Sequence, residues 1–288
     1  MAWPPGRDDR RALAVAVAVG LVHAAAIAAL VARLDYPVDA LATAPGGRVG
    51  ALVGLVALVA VPAFVAVRGR LLLPLAAVVL VAGRSVGLAL TTPPPEFSTL
   101  GGHLVVHGPR YVDGYVDAWY VWLFAALLLG LAESVARVDH DRLAAPARSA
   151  WLDRGLDGDG RLAFVAVGVA HAGVFLGLAA DWGYFAPGGF LPAPWYVGLG
   201  VLGWTLLGLV AIGGVPALLL ARWRLVTPTV GLAWLAWRTR WLQQLPLPDD
   251  PLPVYFLGWF VFAGALAGLG GLEYAGRRAW RRYRRAGG

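Results

Sequence analysis

Apolar residues run along this chain in long, nearly uncharged blocks, without the strict alternation of a half-buried strand. The blocks cover residues 12–31, 49–67, 71–90, 116–135, 162–180, 197–220 and 254–272. A helix needs about twenty such residues to cross the hydrocarbon core of a bilayer. A further stretch, 225–245, is weaker because it contains Arg238 and Arg240. Hydropathy alone therefore predicts seven membrane helices. Arg10 and Arg11 precede the first block, and Ala40-Leu41-Ala42 resembles a cleavage site. That block is longer than a signal-peptide core and the Ala-x-Ala lies well past its end, so the first helix reads as uncleaved.

The chain also aligns with itself. Residues 17–36 fall on 165–184 with nine of twenty identities, including His23/His171 and Tyr36/Tyr184. Residues 61–88 fall on 215–242 with ten of twenty-eight, among them Pro62/Pro216, Arg70/Arg224, Pro74/Pro228 and Arg84/Arg238. Residues 115–137 fall on 255–277 with eight of twenty-three, including Tyr115/Tyr255, Trp119/Trp259, Glu133/Glu273 and Arg137/Arg277. In a chain this rich in Ala, Leu, Val and Gly, chance matches about one position in ten, so the identities exceed composition about threefold. The alignment makes 225–245 the counterpart of the third helix and raises the expectation to eight spans.

The expected fold is all-α: a polytopic integral membrane protein with eight transmembrane helices as a tandem 4+4 parallel repeat. The first repeat covers 11–137 and the second 161–277, with a cytoplasmic linker at 138–160 and an Arg-rich cytoplasmic tail at 278–288. Charge placement agrees. With eight spans and both termini inside, eighteen of the 24 arginines are cytoplasmic. Arg33, Arg48, Arg110 and Arg240 lie outside, and Arg84 and Arg238 lie within spans. An even-numbered repeat keeps its orientation, and parallel repeats of this kind place a site between the halves near mid-bilayer.

Composition narrows the chemistry. The 288 residues are 59% hydrophobic and 14% charged. There is no cysteine, which removes disulfides, thiolate catalysis and thiolate metal sites. There is no lysine either, which removes Schiff-base chemistry. All-Arg usage suits a GC-rich prokaryotic genome and the cell membrane. The net charge of +7 is explained by membrane topology, so no nucleic-acid partner is expected.

His23 and His171 lie about 15–18 Å along their helices, near mid-membrane. Intramembrane imidazoles can bond a neighbouring helix, line a proton or solute path, or ligate a haem b axially as a pair. Arg84 and Arg238 lie about 21 Å along theirs. A guanidinium stays charged, so each must snorkel, pair with an acid such as Asp117, or hold an anionic group. Glu133/Arg137 and Glu273/Arg277 read as local i,i+4 ion pairs. Ser85, in Gly83-Arg84-Ser85-Val86-Gly87, is aligned with Thr239, so the shared element is the arginine and no serine nucleophile is expected. His103 and His107 are the only weak metal candidates; flanking glycines favour an extended segment that separates them by about 13 Å. Asp157 and Asp159 resemble part of a calcium loop but lack its first and twelfth ligands. Aromatics such as Trp119 cluster near span ends as interfacial anchors. Pro62/Pro216 and Pro74/Pro228 read as repeated helix interrupters.

These features favour a small-molecule or ion permease, or a membrane binding protein, with a polar centre between two repeats. A bis-His haem b or quinone electron-transfer protein, a lipid or isoprenoid enzyme, and a structural or assembly subunit without a site remain as alternatives.

Overall fold

The computed structural model describes residues 7–34, 45–93, 96–100, 103–108, 110–139, 160–181, 195–243 and 251–286. In chain order the elements are α1 (Arg7–Leu34), α2 (Pro45–Gly69), α3 (Leu73–Thr91), β1 (Glu96–Leu100), β2 (His103–His107), α4 (Tyr111–Asp117), α5 (Trp119–Asp139), α6 (Arg161–Asp181), α7 (Trp195–Trp223), α8 (Thr227–Gln243), α9 (Pro251–Leu257) and α10 (Trp259–Ala286). The expected helical class holds, with one addition. β1 and β2 form an antiparallel hairpin that pairs Glu96 with His107 and Leu100 with His103. The His103–His107 segment is extended as expected, and its side chains lie outside the described residues. Residues 140–159, most of the linker with Asp157-Gly158-Asp159, lie outside them as well.

Every apolar block carries a helix. Six of these helices are long and apolar enough to cross a membrane: Asp9–Leu34, Arg48–Gly69, Leu73–Thr91, Trp119–Arg137, Arg161–Ala180 and Tyr196–Trp223. The chain is thus a multi-pass membrane protein, because only closed backbone hydrogen bonding lets such segments sit in lipid. The two remaining blocks have physical reasons for falling short. Helix α8 has only 17 residues and carries two arginines. The block at 254–272 is broken at Gly258 into α9 and α10. The fourth block breaks in the same way at Ala118, so its first two residues belong to α4 rather than α5.

Two compact units form: Met1–Gly130 with Trp237–Asp249, and Leu131–Ala236 with Asp250–Gly288. In the first, α1 packs along α2, α2 on α3, and α3 on α4. In the second, α6 packs along α7, and α7 also meets α9 and α10. The first core centres on Leu55, Leu58, Tyr115 and Val116, and the second on Phe175, Leu209, Ile212 and Tyr255.

Positions that the self-alignment equates make like contacts inside each unit. A methyl group added at Gly20 would meet the Val56 carbonyl oxygen at 2.6 Å, and one at Gly168 would meet that of Val210 at 2.7 Å. Both helix pairs therefore touch backbone to backbone. The Trp119 ring lies over Gly54 and the Trp259 ring over Gly208, each 2.2 Å from where a Cβ would stand. These two tryptophans fill helix contacts. Gly130 receives Pro74, and Gly270 receives Pro228. Arg70 and Arg224 both adopt left-handed backbone, φ 53° and 55°, in three-residue links between helices. Pro62 and Pro216 sit inside α2 and α7 as expected. Pro74 and Pro228 do not interrupt helices. They open α3 and α8 at the first turn, where the missing N–H costs nothing. The Glu133/Arg137 and Glu273/Arg277 pairs form within their helices.

Candidate functional site

Each intramembrane histidine meets the tyrosine of its own unit. In the first, His23 on α1 contacts the Tyr115 hydroxyl through Nε2 at 3.0 Å, the rings edge to face. In the second, His171 on α6 contacts the Tyr255 hydroxyl through Nε2 at 2.8 Å. The second pair is closed on every side. His171 is 0% exposed, its Nδ1 meets the Leu209 carbonyl at 2.8 Å, and the Phe175 ring stacks near both His171 and Tyr255. Because a carbonyl can only accept, Nδ1 carries the proton there. Nε2 is then the acceptor, and the Tyr255 O–H donates to it. His23 is only partly buried, and among the described residues no carbonyl takes the place of Leu209 beside it.

This geometry does not fit a bis-His haem. An axial ligand must aim a ring nitrogen at the iron. Both nitrogens of His171 are already hydrogen-bonded within the protein, so it has none to offer. Nor, among the described residues, do three or more His, Asp or Glu side chains gather as a metal site would require.

Arginines gather in the first unit. Arg84 on α3 is exposed, and its guanidinium carbon lies 4.2 Å from the centroid of Trp241 on α8. An aromatic face thus takes the role expected of Asp117, a contact worth about 0.5–1 kcal/mol at an exposed position. Trp241 in turn stacks on Tyr111 of α4, with centroids 5.8 Å apart and an interplanar angle of 20°. Arg238 lies one turn before Trp241 on α8 and is partly buried. The alignment-matched pair Arg84 and Arg238 thus falls within one unit.

Two further arginines join them. Arg240 is 4% exposed and donates from Nη2 to the Gly114 carbonyl at 3.1 Å. Arg110 pairs with the buried Asp113. Ser85 and Thr239, beside Arg84 and Arg238, are both buried. Helix α4 is the hub: within seven residues it supplies the stacking ring, the carboxylate and the accepting carbonyl.

No known protein family, characterised protein or solved structure matches the chain. The site must therefore be judged on its own chemistry.

Sequence reasoning found Arg84, Arg238 and both histidines. It counted Arg240 on the outer side and named no partner for it; its side chain is buried and meets the Gly114 carbonyl. A signal was present: Arg240 lies two residues from Arg238 in a stretch already read as a span. The tyrosine partners were also within reach, because Tyr115/Tyr255 stand in the same self-alignment as His23/His171.

Proposed function

We propose that this protein is a duplicated eight-span permease or solute-binding protein of the cell membrane that takes a small anionic solute at its arginine cluster. The shared contacts at alignment-equated positions support the 4+4 duplication. The eight-span count adds α8 and the α9–α10 segment to the six evident spans. Both termini are then cytoplasmic.

The observation that carries the functional reading is Arg84. Its exposed guanidinium lies against Trp241 in a unit that also holds Arg110, Arg238 and Arg240. Against these four arginines, α4 supplies two aspartates, Asp113 and Asp117, leaving a formal surplus of two positive charges. In the proposed topology this surplus lies on the outer side. The positive-inside rule gives it no reason to be there, whereas anion recognition does. Guanidiniums hold carboxylates and phosphates in forked, charge-assisted pairs, and a flanking ring keeps the fork flat and partly desolvated.

The test is calorimetric titration of purified protein with acetate, succinate and phosphate, paired with uptake of the same anions into proteoliposomes. Binding of at least one anion, weakened about tenfold or more by Arg84→Ala, is expected. An affinity unchanged in Arg84→Ala, or no anion binding by the wild type, rejects the reading.

A further inference from the structure

The last helix outruns its copy. Trp119 and Trp259 open the equated helices α5 and α10, and each helix carries its Glu–Arg pair towards the far end. Helix α5 stops at Asp139, two residues past Arg137. Helix α10 runs on without a break for nine residues past Arg277, to Ala286. This extension holds Arg278, Arg281, Arg282, Arg284 and Arg285, and no acidic residue follows Glu273 in the chain. The shorter copy keeps its Glu–Arg pair without such turns, so the repeat itself does not call for them.

All five arginines are exposed, and so are the two rings among them. Trp280 is 55% and Tyr283 72% exposed. Their rings stack with centroids 5.9 Å apart and an interplanar angle of 19°. The Arg284 guanidinium carbon lies 5.0 Å from the centroid of Trp280. Neighbouring large rings left open to water mark a surface that meets something apolar.

The order along the helix sorts charge from rings. At about 100° per residue, the five arginines and Arg277 fall within an arc of about 160°. Leu272, Ala279, Trp280 and Tyr283 lie together on the other side. The positive-inside rule favours arginines near a span end whichever face they take. It explains their number, but neither their segregation nor the rings beside them. A charged bilayer surface explains both. Guanidiniums grip phosphates in forked pairs, and indole and phenol rings rest at headgroup level. The reach also suits. From Arg278 to Arg285 the helix rises about 11 Å, close to one Debye length, so all five arginines stay within the field of an anionic leaflet.

We propose that the last turns of α10 form a binding surface for the anionic phospholipid headgroups of the bilayer that holds the protein. The arginines take the phosphates, and Trp280 with Tyr283 seats in the interface. The proposal rests on the eight-span reading only in that α10 enters the bilayer, and it shares no residue with the cluster around Arg84.

The experiment uses full-length protein in nanodiscs, with an environment-sensitive fluorophore on Ala279→Cys, the sole thiol in the chain. Ala279 is exposed on the same side as the rings. Discs of phosphatidylcholine alone are compared with discs in which about one-third is phosphatidylglycerol. In the anionic discs the emission should move to shorter wavelength, and amide exchange over residues 274–286 should slow about tenfold. Salt near 1 M, where the screening length falls to about 3 Å, should reverse most of both. Replacing the five arginines by glutamine should abolish the response at an unchanged melting temperature, since these exposed side chains leave the core untouched. Arg282→Gln alone should raise the phosphatidylglycerol needed for a half-maximal response about fivefold or less. Equal emission and exchange in the two discs overturn the proposal, as does a response that survives in the five-glutamine variant. If single-stranded RNA or inorganic phosphate reproduces the shift in neutral discs, the surface is one for soluble polyanions and the proposal falls. Nanodiscs present both leaflets, so these outcomes do not depend on which side the C-terminus faces. That side is read separately by labelling Arg285→Cys, so a failed topology and a failed lipid surface give different results.

Discussion

Glu273 of α10 accepts the backbone N–H of Thr227 at 2.8 Å, so a carboxylate from the last helix caps the start of α8. The same side chain accepts the Val226 amide at 3.2 Å through its other oxygen, which also takes Arg277 at 2.6 Å. Those first amides of α8 have no partner inside their own helix, and a negative charge there also opposes the helix dipole. Burial pushes the Glu273 carboxyl upward, but the bonds from Thr227 and Val226 together with Arg277 outweigh it and hold the group below its ordinary value.

A carboxyl depressed in the folded state adds stability that is fully present above its unfolded value and is lost as pH falls through the folded value. Acid titration of the wild type should therefore show a melting-temperature decline that begins near the ordinary carboxylate range and continues below it. Glu273→Gln should start about 1 kcal/mol less stable and lack that component of the decline. A pH profile identical to wild type would show that the cap contributes nothing.

Gly54→Ala and Gly208→Ala should each destabilise by about 2–3 kcal/mol, because a Cβ would enter the Trp119 or Trp259 ring. Thermal melts of the purified proteins check this. Gly83→Ala and Gly87→Ala, with nothing within 4 Å, should be neutral or slightly stabilising. In a Trp259→Ala background, Gly208→Ala should lose most of its cost, since the colliding ring is gone.

Tyr255→Phe and Tyr115→Phe separate the two pairs. Removing the Tyr255 hydroxyl leaves a fully buried imidazole nitrogen without its donor, at a cost of about 1–3 kcal/mol. Tyr115→Phe should cost less, because His23 is only partly buried and another group can reach it. Equal losses on thermal melting would show the two environments to be equivalent.

The eight-span topology is tested by labelling, and the absence of cysteine makes the background clean. Arg70→Cys, Arg222→Cys and Arg285→Cys should react with an impermeant thiol reagent only after the cytoplasmic face is exposed. Pro93→Cys should react from outside. Labelling of Arg285→Cys from outside intact cells would place the C-terminus on the other face and reduce the spans to an odd number.

Legibility followed from which physical term each feature rests on. The helices were readable because lipid admits few other backbone solutions and the apolar blocks carry few charges. The likeness between the halves was readable through His23/His171, Trp119/Trp259 and Pro74/Pro228, which make contacts that few other residues can make. Other features rest on tertiary context. Nothing local marks Ala118 as a helix break, although Gly258 at the equated position is a weaker helix former. The burial of Arg240 depends on the Gly114 carbonyl, which is 126 positions away in the chain. The packing of Trp119 on Gly54 and of Trp259 on Gly208 left no local signal, because those glycines present only bare backbone.

The reversals at Arg70 and Arg224 govern how the protein can move. Each joins two long helices through three residues in a conformation that leaves no slack. The α2–α3 hairpin, whose helices pack on each other, therefore behaves as a stiff body, unable to slide lengthwise without unwinding a turn. Any opening that admits a solute must use other joints. The interruptions at Ala118 and Gly258 are ready-made ones, where α4 can swing against α5 or α9 against α10 without unwinding either helix.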